Sequence, residues 1–391
     1  MITRAHEPLP LPLLITGVAG VAGYNALEYF RARYPGQIIA IRQEDNWPLT
    51  GEGIVACNAE DHERLRALFD KYRFQSVLNC AGNCALRACE LDSRLAWRTN
   101  VEGLINLLSI IVERDVRLVH LSIDLVFSGA EVRVPLLAVE ERTTNARKAL
   151  LASTRNANGS QRAVLEPFSE LNGPSHAVAH LADASGYTEC DPTDPVTVYG
   201  KTMVAAERLL ADWMPTACIL RISLPMGISF NGHAGAIDWI QSRFQKGRPA
   251  TLYFDEIRTP AYTDCLNRLY ERVLASDLEG LYHAGGPRAL SLYQIAQIVN
   301  RVGGYDPALL MGCPRCAAGP IPPRAGNVAM NSRALAEALG DEGPLDPWPQ
   351  DLDFVPTHRE WHYHRNGVSG SRKLLARVLY RNPRHQPSVG G

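Results

Sequence analysis

The chain has 391 residues, 46% of them apolar and 21% charged, a composition that fits a globular protein with ample core and excludes a disordered or fibrous one. Lys and Arg total 40 against 41 Asp and Glu, so no global field draws it to nucleic acid or to an anionic membrane. No apolar run approaches the roughly 20 residues that span a bilayer, and the first residues carry no signal-peptide pattern. Nine scattered cysteines then fit reduced thiols, and a cytoplasmic protein is expected.

Leu13-Leu14-Ile15-Thr16 is a continuous apolar run, as a buried parallel strand requires. It leads directly into Gly17-Val18-Ala19-Gly20-Val21-Ala22-Gly23, and Tyr24 to Arg33 follows with helical apolar spacing. Glycines so spaced permit a tight turn, close approach of a pyrophosphate and close packing of helix on strand, with the phosphates at the helix N-terminus. Residues Gly17 to Gly23 are therefore expected to bind a dinucleotide. Gln37 to Ile41 predicts a second strand, Asp61 to Tyr72 a helix, Ser76 to Gly82 a third strand and Arg117 to Ser122 a fourth. Strands alternating with helices predict an α/β fold of Rossmann type, a doubly wound parallel sheet.

The second strand ends Ile41-Arg42-Gln43. An acidic residue there would bind the ribose hydroxyls of NAD, whereas arginine suits a 2′-phosphate. Arg42 thus favours NADP, with NAD the alternative because Glu44 and Asp45 lie close by.

Further on, Val198-Tyr199-Gly200-Lys201-Thr202-Met203 places Tyr199 and Met203 four residues apart, on one face if helical. Lys201 lies about 200° round from Tyr199 and points elsewhere. Ile237 to Phe244 and Leu292 to Val302 are helical by pattern. Cys313 and Cys316 form a single pair, which does not fill a tetrahedral metal site. No helical or strand period aligns His358, His362 and His364, so no metal centre is predicted. Cys80, Cys84 and Cys89 are expected as small buried hydrophobes, and the basic stretch Arg372 to Arg384 as a solvated helix end.

Taken together these stretches resemble the extended short-chain dehydrogenase/reductases, in their dTDP-4-dehydrorhamnose reductase-like branch. The landmarks are the glycine turn; Asn79-Cys80-Ala81-Gly82 with Asn100-Val101-Glu102-Gly103; His120 to Gly129; Gly186-Tyr187-Thr188-Glu189; Tyr199 to Thr202; Leu220-Arg221-Ile222-Ser223; Arg258-Thr259-Pro260-Ala261-Tyr262; and Pro323-Arg324-Ala325-Gly326-Asn327. The resemblance implies a smaller C-terminal substrate-binding lobe and a bound NADP or NAD. Cofactor contacts are then expected from the whole turn Gly17 to Gly23 and from Arg42, Cys80, Ala81, Gly82, Asn100, Tyr199 and Met203. Catalytic work is expected at Tyr199, with Ser122 and Asp124, and substrate contacts at Arg258 and Tyr262. Arg258 has an alternative reading, a structural ion pair, and Tyr262 another, packing between lobes.

Three departures stand out. The family's serine or threonine falls on Ile123, with Ser122 on the opposite strand face. Its lysine, which lowers the tyrosine pKa and holds the nicotinamide ribose, falls on Met203. Between Gly129 and Gly186 lies an insertion, residues 130–185, where relatives have a short loop; Leu136 to Ala152 has helical composition and Asn156 to Ser160 marks a turn. The expected division is a dinucleotide-binding domain over 1–229 carrying the insertion, a mainly substrate-binding lobe over 230–331, and a C-terminal extension over 332–391. The implied function is an atypical NADP-dependent oxidoreductase, reductase or epimerase-like, on a nucleotide-sugar-like or other polar carbonyl compound, with Tyr199 as proton donor. The alternative is a catalytically weak cofactor-binding subunit resembling the regulatory β subunit of methionine adenosyltransferase. The insertion would then serve a homo-oligomer contact or a partner protein.

Overall fold

The computed structural model describes residues 8–82, 84–130, 186–232, 235–340, 344–364 and 369–380. Seven parallel strands form the central sheet: β1 (Leu13–Ile15), β2 (Ile38–Arg42), β3 (Ile54–Ala56), β4 (Ser76–Asn79), β5 (Arg117–Ile123), β6 (Cys218–Ile222) and, nearer the C-terminus, β11 (Gly280–Ala284). Their spatial order is β11-β6-β5-β4-β1-β2-β3. The order reverses between β1 and β4, whose Ile15 and Leu78 are register partners. Loops leave that point in opposite directions and open a crevice at the strands' carboxyl ends.

Successive side chains of each strand serve two different cores. Leu13 and Ile15 pack in one and Leu14 in the other; Leu78 and Val119 join the first, Val77 and Leu118 the second. A period of two with both faces apolar is what a sheet covered by helices on both sides demands. On one side lie α1 (Val21–Arg33) and α8 (Thr263–Leu274); on the other lie α2 (His62–Tyr72), α5 (Gly103–Ile111) and α6 (Val198–Trp213). The short helices α3 (Leu86–Leu91) and α4 (Ser93–Trp97) precede α5.

The expected strands and helices of this half are all present, with ends shifted by up to three residues: the third expected strand stops at Asn79 and the first helix starts at Val21. Ile237 to Phe244 falls in α7 (Ala236–Gln245) and Leu292 to Val302 in α9 (Leu292–Gly303). With them, two-residue pairings join β7 (Pro225–Met226) to β10 (Ala261–Tyr262) and β9 (Ile257–Arg258) to β12 (Leu290–Ser291), while β8 (Ala250–Tyr253) runs parallel to β13 (Leu310–Cys313). Within residues 230–331, α8 and β11 belong to the main sheet layer. The helix Arg372–Leu379 buries Leu375, Val378 and Leu379, so the basic stretch has an apolar face. The expected helix and turn of the insertion lie outside the described residues. The chain re-enters at Tyr187, which bridges to Met330 and stacks on Phe127 with centroids 4.0 Å apart.

Candidate active site

The turn after β1 is built around two glycines that admit no side chain. Gly17 has φ 65°, and a Cβ there would stand 2.1 Å from the carbonyl oxygen of Cys80; at Gly23 it would stand 2.4 Å from that of Gly17. Gly20 is different, because its Cβ would meet nothing closer than 3.5 Å. Its lack of a side chain leaves room for something outside the protein. Helix α1 starts here with no side-chain cap and no acidic residue in its first turn. Its first N–H groups, together with the positive end of the helix dipole, suit an anion.

Two clefts meet at this turn. One is lined by Gly17 to Gly20, Ile41, Arg42, Gln43, Glu44, Asn58, Ala81 and Arg98. The other runs from Gly17, Gly20, Val21, Ala22 and Gly23 past Cys80, Ala81, Gly82, Ile123, Tyr199 and Met203 to Glu256, Arg258 and Arg324. A dinucleotide spans two such spaces with its pyrophosphate at the shared turn, so the residues present fit that class of cofactor. Arg42 reaches the first cleft, and its guanidinium Nη1 donates to the carbonyls of Gln43, at 2.8 Å, and Glu44, at 3.0 Å.

The wall of the second cleft is the first turns of α6. Thr197 caps the helix, its Oγ1 accepting from Gly200 N at 2.9 Å. Gly200 lets the helix lie against the end of β5, since a Cβ there would be 2.2 Å from Leu125 O. That contact puts Tyr199 at the cleft, 7% exposed. Burial, followed by the neighbouring Cys84 and Asp124, pushes the Tyr199 phenol well above its ordinary value of 10.0. Met203 lines the same wall at 2% exposure, and its Sδ stands close to Gly82. Lys201 is not among the lining residues. The charged residues of this wall are Glu256, Arg258 and Arg324, so among the described residues no lysine stands in for the one absent at position 203.

Several expected site residues are occupied elsewhere. Ser122 donates its hydroxyl to Glu207 Oε1 at 2.5 Å, and Glu207 is in turn paired with Arg221, both nearly buried. Asp124 is fully buried, accepting from Ser223 Oγ at 2.5 Å and from both Nε, at 2.6 Å, and Nη2 of Arg258. Ser122 lines the cleft while Asp124 does not, and these bonds tie β5 and the turn after it to their neighbours. Arg258 lines the cleft and forms an ion pair with that carboxylate. Tyr262 is 3% exposed, does not line the cleft, packs in the core, and accepts at its hydroxyl from Gln350 N at 2.9 Å. Asn100 is buried with Nδ2 donating to Thr202 Oγ1 at 2.8 Å. It ties α6 to its neighbouring helix and does not line either cleft. Of the three cysteines expected in the core, Cys89 is buried but Cys84 lines the cleft.

Other lining residues carried no signal in the sequence. Leu86, Leu224, Pro225, Gly227 and the start of α7 at Gly235 to Ile237 contribute, as does Glu256, two positions before Arg258. His358 and His364 have ring centroids 5.2 Å apart, while His362 is buried beside Gln297. Among the described residues, no group of three His, Cys, Asp or Glu is placed to hold a metal ion. No helix of the described residues is long and apolar enough to cross a membrane.

Residues 11–144 and 178–356 match the family described as the RmlD substrate binding domain. The unmatched stretch between those segments falls inside the insertion. A probable low-salt glycan biosynthesis reductase of Haloferax volcanii is 21% identical over 298 residues, covering 76% of this chain and 81% of that protein. The dTDP-4-keto-6-deoxy-D-glucose reductase of Streptomyces niveus is 22% identical over 317 residues, 80% of this chain and 86% of that one. Among solved structures, the dTDP-4-dehydrorhamnose reductase of Bacillus anthracis in complex with NADP superposes with a TM-score of 0.61, at 15% identity, over 97% of this chain and 100% of that chain.

Proposed function

The chain belongs to the RmlD substrate binding domain family, and on that premise we propose that it is an oxidoreductase of the short-chain dehydrogenase/reductase type that reduces a carbonyl on a nucleotide-sugar-like substrate. The relatives named as reductases support the class of reaction. The observation that carries the proton-transfer step is Tyr199, a phenol buried in the cleft wall and held neutral.

Gly17, Gly20 and Gly23 with the start of α1 would hold the pyrophosphate, and Arg42 a 2′-phosphate, so NADP is the preferred cofactor and NAD the alternative. When bound, the reduced nicotinamide supplies a hydride to the carbonyl carbon. As negative charge develops on the carbonyl oxygen, Tyr199 donates its proton to it, and the phenolate regains one from solvent. Met203, Ile123 and Leu125 line the cleft with apolar surface, which keeps water from the reacting groups. Without an ammonium at position 203 the phenolate is poorly stabilised. A neutral phenol is nevertheless the form that reduction needs, so this arrangement favours reduction over alcohol oxidation.

The test is NADPH consumption by the full chain with a 4-keto-6-deoxy nucleotide sugar. Turnover above the enzyme-free rate supports the reading, and none, with cofactor bound, refutes it. One observation favours a second reading, a regulatory cofactor-binding subunit: two positions of the usual catalytic set, Ile123 and Met203, carry apolar side chains on the cleft wall. A homo-oligomer or partner contact through residues 130–185 would accompany that role, and a cytoplasmic location suits either.

A further inference from the structure

At the end of the cleft away from the glycine turn, one acidic side chain is left unmatched. Glu256 is 2% exposed and lines the cleft. Its Oε2 is buried with no hydrogen-bond partner among the described residues, and its ion-pair contact with Arg324 Nη1 is 3.7 Å, too long for a hydrogen bond. Burial raises the pKa of its carboxyl, while Arg258 and Arg324 oppose the shift. Arg324, which also lines the cleft, lies over the ring of Tyr253 with its Nε buried and likewise without a partner.

The neighbours are satisfied by comparison. Asp255 accepts from Arg315 N at 2.7 Å, and Arg258 is held by Asp124. The backbone around Glu256 is fixed, because its carbonyl accepts from Leu292 N at the start of α9 at 2.9 Å. A buried carboxylate oxygen without a donor, beside a buried guanidinium N–H without an acceptor, is an unfavourable pair that a ligand can complete.

The charges decide what kind of ligand. Asp124 offsets Arg258 and Glu256 offsets Arg324, so this end of the cleft is neutral as a whole and selects neither a cation nor an anion. A hydroxyl group both donates and accepts. Two adjacent ring hydroxyls can satisfy Glu256 Oε2 and Arg324 Nε together. We propose that Glu256 and Arg324 form a specificity subsite that reads the ring hydroxyls of the substrate's sugar portion, Glu256 as acceptor and Arg324 as donor. The subsite rests on the reductase reading only in taking this cleft as the substrate site.

Calorimetric titration of the NADP-loaded full chain with UDP-glucose and dTDP-glucose, against UDP and dTDP, tests it. The wild type is expected to bind at least one nucleotide sugar about tenfold more tightly than its diphosphate, the scale of a hydrogen bond to a charged group. Glu256→Ala should erase that ratio and leave diphosphate affinity within about twofold, and Glu256→Gln, which keeps an acceptor oxygen, should retain part of it. Melting temperature serves as a control, showing whether a lost ratio in either variant comes from the subsite or from a fold weakened by loss of the Arg324 partner. An unchanged ratio in Glu256→Ala, or an equal loss for sugar and diphosphate, would each overturn the subsite alone. Failure of the wild type to bind any of the four probes would overturn the nucleotide-sugar reading and the subsite with it.

Discussion

Tyr199 and Met203 stand one turn apart on the buried face of α6, and both side chains line the same cleft. The phenol faces the cleft, and a thioether stands one turn along where an ammonium would act on it. Met203→Lys combined with Ile123→Thr should lower the phenol pKa, because a positive charge nearby favours phenolate. Alcohol oxidation at neutral pH should then rise by about tenfold or more, the change in phenolate fraction for a shift of roughly one unit. The same lysine meets an apolar wall and should destabilise the fold by about 1–3 kcal/mol in urea unfolding.

The three glycines of the turn should separate by function. Gly17→Ala forces a Cβ into the Cys80 backbone at a positive φ and should destabilise the protein by about 2 kcal/mol or more. Gly20→Ala meets only an ordinary contact, Gly17 O at 3.5 Å, so its melting temperature should stay near wild type while NADP affinity falls by about tenfold or more as the methyl group crowds the pyrophosphate. Thermal melts paired with calorimetry check both.

Arg42→Ala should weaken NADP binding by about 1–3 kcal/mol and leave NAD unaffected, since only the former carries a phosphate for the guanidinium. Two titrations decide it. Equal losses for both nucleotides would place the effect in the turn that Arg42 braces through the carbonyls of Gln43 and Glu44.

Asp124 and Arg258 are buried together, and removing one partner leaves an uncompensated charge. Asp124→Asn should therefore lower stability by about 3–5 kcal/mol, measured by urea unfolding. A catalytic role for Asp124 would instead show as lost turnover with stability unchanged.

The central sheet was legible because its signals are local. Continuous apolar runs mark strands buried on both faces, and Gly17, Gly20 and Gly23 mark the turn between the first strand and its helix. Tyr199 and Met203 were placed correctly by a spacing of four. What the sequence does not show is the pairing of side chains that lie far apart along the chain. Asp124 and Arg258 are 134 residues apart, and nothing near either one announces the other. Asn100 and Thr202 meet across 102 residues, and Ser122 finds Glu207 only when β5 packs against α6. Glu256 drew no notice for a different reason: its distinction is a buried Oε2 with no hydrogen-bond partner among the described residues, a property that no residue type or spacing encodes.

The most direct test of the account is single-turnover reduction of a 4-keto nucleotide sugar by NADPH, comparing wild type with Tyr199→Phe under saturating cofactor. A positioned general acid contributes about 100- to 10,000-fold, so Tyr199→Phe should lower the hydride-transfer rate by at least about 100-fold while NADP affinity and melting temperature stay near wild type. A wild-type rate retained in Tyr199→Phe would contradict the claim that this phenol delivers the proton.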